Sequence, residues 1–455
     1  MLHQGPDTEE QEPIATCSRD PAGNARPVHT VVPHANWAEH RTGSRSLTSC
    51  GTPSQIDRVH RGARQVLAEN IPVEPAWVMP AKGVLDVANC RPAVPAPRAE
   101  RSCNALAGEC AGHLSQAPGQ LSIAMRFGLF GGAAAPRLPD AAASAEGFFD
   151  FVETNVEAEA LGFHSSFVTE HHFTGFGQLS APLTLLTFVA ARTTRLRLGT
   201  AVLVLPWHNP VLLAEQVATL DLLSRGRLEL GVGKGYRHNE FAGFAMPPVE
   251  AEPRFEEVLD VLIRALTSHE PFSHYGRFFC FDTVVVEPPP HQRPHPPLWL
   301  AAGSKASISA CARRGFNLLL DQFASPRQIG EHIALYRREL EAAGHAFEPM
   351  RVAVARNIFV ARDVTEKHGA LKRQTQIHAR LLSLSRGSES RPGSHILGYA
   401  DTPEAHSLIG TAEEVEAGLA ALKELGVAYV LLFGQGSREN LRRFAERVMP
   451  KFGAL

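Results

Sequence analysis

Residues 224–241 read SRGRLELGVGKGYRHNEF, and this stretch decides between two α/β folds. The apolar run Leu228–Val232 predicts a buried strand, and glycines follow in alternation at Gly231, Gly233 and Gly235. A dinucleotide-binding Rossmann unit would need G-x-G-x-x-G directly after its first strand and an acidic residue about 20 positions later. The G-x-G-x-G spacing here does not meet that requirement. The stretch therefore favours a barrel of strand–helix units.

Seven further strand-like runs follow Met125, each separated from the next by a helix-like segment. Eight such units predict an α/β fold of the (β/α)8 TIM-barrel type, with insertions. Helix starts are indicated by Asn209-Pro210 and by capping boxes at Ser325 and Thr411. The predicted strands are Arg126–Phe130, Ser165–Thr169, Arg197–Val204, Leu228–Val232, Leu298–Ala301, Leu318–Leu320, Arg351–Val360 and Tyr429–Phe433.

Two segments do not fit the barrel pattern. Residues 1–124 are rich in Pro, Ala, Arg, Ser and Gly and lack a sustained period, so we expect a disordered extension. An equally open interpretation is that Met125 is the native start and that 1–124 do not belong to the native protein. Residues 125–455 are then the TIM-barrel domain. Within it, the polar and irregular residues 362–407 predict a long excursion or a mobile lid.

The composition excludes several classes of partner. With 44% hydrophobic and 20% charged residues the chain is typical of soluble globular proteins. A net charge of −2 provides no positive field for nucleic acid or an anionic membrane. No run approaches the roughly 20 apolar residues that span a bilayer, and the first residues are acidic, unlike a signal peptide. We therefore expect a cytoplasmic protein with a small-molecule ligand and, since the cysteines lack C-x-x-C spacing, no metal site.

The segment TEHHF at 169–173 falls where the second predicted strand ends. TIM barrels carry their reactive groups at the carboxyl ends of the strands. A histidine there can exchange protons near neutral pH, and a neighbouring carboxylate can fix its tautomer. A buried structural histidine or a metal ligand is the alternative on residues alone. Zinc hydrolysis is the weakest interpretation, because adjacent histidines lack the i, i+4 spacing that converges on a metal.

Two other segments have the character of an anion site. The alternating glycines around Lys234 allow close approach of a planar ligand, and Lys234 can meet a phosphate. The sequence AAGSKAS at 301–307 places Ser304 at a helix start, where free N–H groups attract anions. A solvated lysine and an N-cap serine are the simpler alternatives. In order along the strand ends, these segments describe a phosphate-bearing cofactor beside a histidine.

From Met125 to about Phe452 the chain resembles the luciferase-like flavin-dependent monooxygenases, most closely the alkanal monooxygenase (bacterial luciferase) α chain. The segment TEHHFTGFG is the most specific part of the likeness. The recurring motifs are MRFGLF, SSFVTEHHFTGFG, LGTAVLVLPWHNP, SRGRLELGVGKGYRHNEF, PPLWLAAGSKAS and IGTAEEVEAGLAALKELGV.

The resemblance implies a mechanism and its partners. Reduced FMN from a separate NAD(P)H:flavin reductase would react with O2 to a flavin 4a-hydroperoxide, which oxygenates a small apolar substrate such as an aldehyde. His171 would assist proton transfer, with His172 as its structural or flavin-side neighbour. Proteins of this family commonly pair, so a homodimer is possible.

The resemblance also implies a set of binding residues. Lys234 stands where the luciferase has a phosphate-binding arginine, and Gly233 where it has a reactive cysteine, which weakens light emission as a prediction. A non-proline cis peptide under the flavin ring is expected at Ala201-Val202. Phe130, Phe173 and Phe176 would line an apolar substrate pocket, although aromatics at such positions are more often core. The expected cofactor-binding residues are Glu170, Ala201, Val202, Gly233, Lys234, Gly235, Glu240, Gly303, Ser304 and Ser307.

Two rival functions stay open. A deazaflavin-dependent oxidoreductase would use the same barrel to transfer hydride without oxygen. A non-catalytic flavin-binding or luciferase-β-like subunit would bind a partner barrel and turn nothing over. Titration with both cofactors separates the first from a monooxygenase, and oxygen consumption separates the second.

Overall fold

The computed structural model describes residues 18–19, 25–26, 124–136, 141–385, 406–434 and 436–453. The chain divides into two units, 1–29 with 120–455 and 30–119, and the second lies outside the described residues. In the predicted extension, the described part is residue 124 and a short antiparallel pairing of Ser18–Arg19 with Ala25–Arg26. The prediction of disorder for 1–124 otherwise falls outside the described residues.

Eight parallel strands close into a barrel whose order follows the chain. Each strand pairs with the next, and the last pairs with the first, so the sheet has no free edge. The predicted TIM barrel is therefore confirmed. The strands are β1 (Arg126–Gly131), β2 (Ser165–Val168), β3 (Arg197–Thr200), β4 (Leu228–Gly233), β5 (Leu298–Ala301), β6 (Asn317–Leu320), β7 (Val352–Val360) and β8 (Tyr429–Phe433).

The connecting helices begin where the sequence supplies caps. Asn209 accepts hydrogen bonds from the backbone N–H groups of Val211 and Leu212, both at 3.1 Å, and reciprocal capping boxes form at Ser325 and Thr411. The helices are α1 (Ala141–Ala160), α2 (Pro182–Arg192), α3 (Pro210–Leu223), α4 (His238–Gly243), α5 (Ala251–Thr267), α6 (Lys305–Arg313), α7 (Pro326–Ala342), α8 (Val364–Ser385), α9 (Ala412–Glu424) and α10 (Arg438–Arg447).

Side chains fill the inside of the barrel. Alternate residues of a strand point to opposite faces, so one set packs under the helices and the other meets at the axis. Phe167 and Trp299 pack edge to face with ring centroids 5.7 Å apart, and Trp299 meets Tyr429 at 5.9 Å. Gly199 makes room for this layer, because a Cβ there would lie 2.3 Å from the Phe167 ring. The barrel interior is thus a packed core.

The predicted excursion at 362–407 is wrong in its first half. Val364–Ser385 forms the 22-residue helix α8, and Leu408–Gly410 pairs in parallel with β7. The helix is mostly solvated, with Ala370 and Gln374 buried one turn apart, so its sequence shows little apolar periodicity. Residues 386–405, the rest of the predicted lid, lie outside the described residues.

Two smaller differences concern strands. The predicted strand Arg197–Val204 is interrupted after Thr200, and Leu203–Val204 pairs separately with β4. An antiparallel hairpin of Phe272–Tyr275 and Cys280–Val284 lies between α5 and β5 and was not predicted, because its residues are largely half-buried or exposed. Among the described helices, none combines the length and apolar character that crossing a membrane requires.

Candidate active site

His171 and Glu240 meet at the carboxyl end of the barrel. His171 follows β2 and Glu240 lies in α4 after β4, and His171 Nδ1 is 3.1 Å from Glu240 Oε1. A carboxylate acceptor places the imidazole proton on Nδ1 and leaves a lone pair on Nε2. Burial lowers the pKa of His171, although the hydrogen bond with Glu240 opposes that effect. The ring is therefore neutral at neutral pH and can accept a proton.

Glu170 is a buried anchor for the loops after β2 and β3. Its carboxylate accepts hydrogen bonds from His172 Nε2 at 2.9 Å, His208 Nε2 at 3.0 Å and the Val204 backbone N–H at 2.7 Å. Burial raises the pKa of Glu170, but these donors outweigh it and hold the pKa at about 2. Both carboxylate oxygens have protein donors. Sequence reasoning placed Glu170 beside the cofactor and did not foresee His208 as its partner.

The peptide bond between Ala201 and Val202 is cis, as the resemblance predicts. Val202 lies against β4, where a Cβ added to Gly233 would come 2.6 Å from Val202 Cγ2. Gly235 has a φ of +75°, and a Cβ there would lie 2.8 Å from Val204 Cγ1. Val202 thus occupies the space that a cysteine side chain at 233 would need. A side chain larger than glycine at 233 would therefore require Val202 to move.

The predicted phosphate-binding groups already have partners. Lys234 Nζ lies 2.5 Å from Glu252 Oε2, and both side chains are exposed. Gly303 precedes α6, and the Ser304 and Ser307 side chains each accept a hydrogen bond from the other's backbone N–H at 3.2 Å. These serines are N-capping residues in the structure. Their hydroxyls and the helix start still face outward, since Ser304 is exposed.

The three predicted pocket aromatics differ in position. Phe130 is half-buried and packs edge to face on Phe433 at 5.8 Å. Phe173 is 58% exposed, with its ring 5.0 Å from that of Phe244, and Phe176 is 41% exposed. Phe173 and Phe176 are therefore not core residues. The Arg380 guanidinium of α8 lies 5.1 Å from the Phe176 ring, which brings α8 over this part of the site.

Several buried polar atoms at this end lack a partner within the described part of the chain. They are Arg237 Nε and Nη2, Trp207 Nε1, Asn239 Oδ1 and Asn357 Oδ1. Each such atom costs about 1–3 kcal/mol unless it is satisfied. Asn239 Nδ2 donates to His172 O at 3.1 Å, and Trp207 stacks on Phe244. Arg237 Nη1 lies 3.9 Å from Glu240, the partner of His171. These three residues therefore lie beside the histidine pair. A planar ligand with polar edges fits such a set.

These residues stand within the sequence motifs, but the motifs predict no role for them. Arg237 and Asn239 stand in YRHNEF and Trp207 in LVLPWHNP, but their partners lie far along the chain: Gln178, for example, is 59 residues from Arg237. A buried arginine beside a histidine–carboxylate pair is visible only once the strands are closed into a barrel.

Comparison with known proteins agrees with this geometry. The oxygenase component of flavin-dependent trigonelline monooxygenase from Acinetobacter baylyi is 25% identical over 354 residues, covering 72% of this chain and 96% of that protein. The protein y4vJ from Sinorhizobium fredii is 36% identical over 169 residues, 37% of this chain and 48% of that protein, so this match spans about half of the relative's length. The structure of monooxygenase RslO1 from Streptomyces bottropensis superposes with a TM-score of 0.63 at 27% identity, covering 72% of this chain and 100% of that one.

The family model described as luciferase-like monooxygenase matches residues 125–429, which include the described barrel strands from β1 into β8 and both histidines. More than half of the chain is thus covered by one model. The chain belongs to the luciferase-like monooxygenase family.

Proposed function

We propose that this chain is the oxygenase component of a flavin-dependent monooxygenase that uses reduced FMN and O2 to oxygenate a small apolar organic substrate such as an aldehyde. The observation that carries the proposal is the His171–Glu240 pair, at 3.1 Å, at the carboxyl end of a barrel of this family. The name of the trigonelline relative, a flavin-dependent oxygenase component, supports the same class of activity.

The site's own residues fit FMN in shape and charge. The half-buried segment Ala201–Val202 would lie against the planar ring, and the unpartnered atoms of Trp207 and Arg237 would meet its polar edges. Lys234 and the start of α6 would hold the phosphate. The Lys234–Glu252 pair is exposed and worth at most about 1 kcal/mol, so Lys234 can exchange it for a phosphate. Bound reduced FMN would supply the electrons that activate dioxygen.

His171 would act as the proton-transfer residue. Its Nε2 lone pair can accept a proton from the substrate side and return it, while Glu240 keeps the ring oriented. His172, held by Glu170 and by its own backbone bond to Glu240 at 3.1 Å, would fix the loop that presents His171. A neutral His171 is what this step needs.

Exclusion of water would come from apolar side chains and α8. Phe130, Phe173 and Phe176 would contact the substrate, and Arg380 on α8 lies over Phe176. In an open site, water promotes side reactions that consume oxygen without forming product. A covered site should therefore convert more of the consumed oxygen into product. In this proposal α8 replaces the irregular lid of the sequence prediction.

Partners follow from the proposed class. A separate NAD(P)H:flavin reductase would supply reduced FMN, in line with the designation of the trigonelline relative as an oxygenase component. Homodimerisation is supported by exposed apolar residues on the paired helices α2 and α3, namely Phe188, Leu212 and Leu223. A cytoplasmic location stays a prediction.

The test mixes the full chain anaerobically with reduced FMN or reduced deazaflavin, then adds 18O2 and a panel of apolar substrates including long-chain aldehydes. We expect FMN binding, oxygen consumption and one labelled oxygen atom in the product. Binding of deazaflavin with hydride transfer and no label would favour the oxidoreductase. Flavin binding with no oxygen consumption would favour the non-catalytic subunit.

A further inference from the structure

Arg237 places a permanent positive charge in the interior beside the candidate site. Its side chain is fully buried, and it holds the N-cap position of α4, three residues before Glu240. Nη1 donates to Gln178 Oε1 at 3.1 Å, while Nε and Nη2 have no partner in the described part of the chain. A buried guanidinium costs free energy unless an opposite charge compensates it. The compensating charge must lie nearby.

Glu240 supplies that charge. Its Oε1 atom lies 3.9 Å from Arg237 Nη1 and is the same atom that accepts hydrogen bonds from His171 Nδ1 and the His172 backbone N–H, each at 3.1 Å. Arg237 and His171 therefore share one buried carboxylate oxygen. The positive charge of Arg237 offsets part of the negative charge of this carboxylate, so the carboxylate stabilises a charged imidazole less strongly.

We propose that Arg237 is a positioning residue for His171: by sharing the Glu240 carboxylate it holds Glu240 in place and keeps the imidazole neutral. The inference rests on the proposed function, in which His171 accepts a proton. Without Arg237, burial alone would oppose the two carboxylates of Glu240 and Glu170, and protonation of the ring, which removes the lone pair, would become easier.

The charged groups that face His171 either favour or oppose protonation of its ring. Glu240 and Glu170 favour the protonated ring, and Arg237 opposes it. The Tyr236 ring stands edge-on to His171, with centroids 6.5 Å apart. Burial is the largest influence and lowers the pKa of His171, in the same direction as Arg237. Removing the Arg237 charge should thus raise the pKa of His171, and removing the Glu240 charge should lower it.

The experiment is an NMR titration of the His171 ring in the full-length chain without cofactor, with the signal assigned by its loss in His171→Gln. The variants are Arg237→Met, Arg237→Lys and Glu240→Gln. We expect the titration midpoint to shift upward in Arg237→Met, to stay near the parent value in Arg237→Lys, and to shift downward in Glu240→Gln. Arg327→Met, on an 88% exposed side chain of α7, is the control and should shift nothing.

The inference is overturned if Arg237→Met leaves the midpoint unchanged, or if Arg237→Lys moves it as far upward as Arg237→Met. It is also overturned if Glu240→Gln moves it upward. If Arg237→Met does not fold by circular dichroism, Arg237→Gln takes its place, since it also removes the positive charge and retains a polar side chain that can hydrogen-bond Gln178. The readout needs no turnover: opposite shifts in a chain that consumes no oxygen would support the inference while refuting the proposed function.

Discussion

The two ends of the barrel each bury a glutamate, and the two carboxylates are in opposite electrostatic situations. At the amino end, Glu229 pairs with Arg197 and accepts from Trp299 Nε1 at 2.6 Å, yet burial raises its pKa. At the carboxyl end, hydrogen bonds from two histidines and a backbone N–H hold the pKa of Glu170 at about 2 against its burial. The same residue type, buried at both ends, has its pKa raised at one end and lowered at the other.

The polar atoms around these glutamates can be compared as well. Both Glu229 oxygens have protein partners, and Ser165 bonds Tyr429 nearby. Around Glu170 and Glu240, buried atoms of Arg237 and Trp207 have no partner in the described chain. At the amino end Arg351 Nε, beside the cavity that Glu229 also lines, has no partner among the described residues either. A buried polar atom without a protein partner is explained by a bound ligand, an ion, a water molecule or local strain. Because such atoms occur at both ends, the general rule that TIM barrels carry their chemistry at the carboxyl end is what favours the His171 end in our proposal.

The largest effect that tests this comparison is on turnover. His171→Ala should lose about 10²–10⁴-fold in product formation, because general acid–base catalysis contributes that much, while FMN still binds. His164→Gln, at the amino end, is the matched control and should keep the parent rate. Steady-state product analysis and an FMN titration check both. Near-parent turnover in His171→Ala would remove His171 from the proton-transfer role.

The next effect compares the glutamates directly. At pH 7, Glu170→Gln should lower the free energy of unfolding by about 2 kcal/mol, since buried donors lose a charged acceptor. Glu229→Gln should cost less than about 1 kcal/mol, because Arg197 is partly exposed and burial, which raises the pKa of Glu229, offsets part of what the ion pair contributes. Because the folded-state pKa of Glu170 lies below its unfolded value of 4.5, its contribution is complete above 4.5 and is lost as pH falls toward 2.

Urea unfolding of both variants, at pH 7 and in acid, measures the difference. The Glu170→Gln deficit should shrink with acidification. Equal losses for the two variants at pH 7 would mean that the ends of the barrel do not differ in the way proposed.

Much of the barrel could be predicted because its strands are short apolar runs bounded by turn residues. Leu298–Ala301 and Tyr429–Phe433 have the same limits in sequence and structure. Helix α8 could not be predicted, since its buried contacts at Ala370 and Gln374 are too few to give a period. Local pattern predicts an element only where burial imposes that pattern.

The candidate site was predictable to the extent that strand ends predict it. The position of TEHHF after the second strand predicted that His171 and His172 lie at the carboxyl end of the barrel. Glu240 was predicted there because it follows the glycine-rich segment after the fourth strand. His208 and Arg237 were not assigned, because their contacts join segments that meet only through barrel closure: His208 is 38 residues from Glu170. A contact between residues so far apart in the chain has no characteristic sequence spacing from which it could be predicted.

A smaller effect concerns the glycine that replaces the luciferase cysteine. Gly233→Ala should weaken FMN binding about tenfold, because its Cβ would come 2.6 Å from Val202 Cγ2 and overpacking costs about 1–3 kcal/mol. Val202→Ala removes that atom, so the double variant should bind FMN more tightly than Gly233→Ala alone. Fluorescence titration of all three variants measures the coupling. Additive effects would show that the Val202 contact is not the cause.

The smallest expected effect is a pH dependence of stability at the amino end. Burial, with Arg197 and Arg126 nearby, lowers the pKa of His164 from 6.5 to about 4. The unfolded chain then takes up this proton first, so the contribution is complete above 6.5 and is lost as pH falls toward 4. Between pH 7 and pH 6 the loss should be below about 1 kcal/mol, and His164→Gln should not show it. Urea unfolding against pH, with the exposed His269→Gln as control, checks this. Parallel curves for parent and His164→Gln would contradict a lowered pKa of His164 in the folded chain.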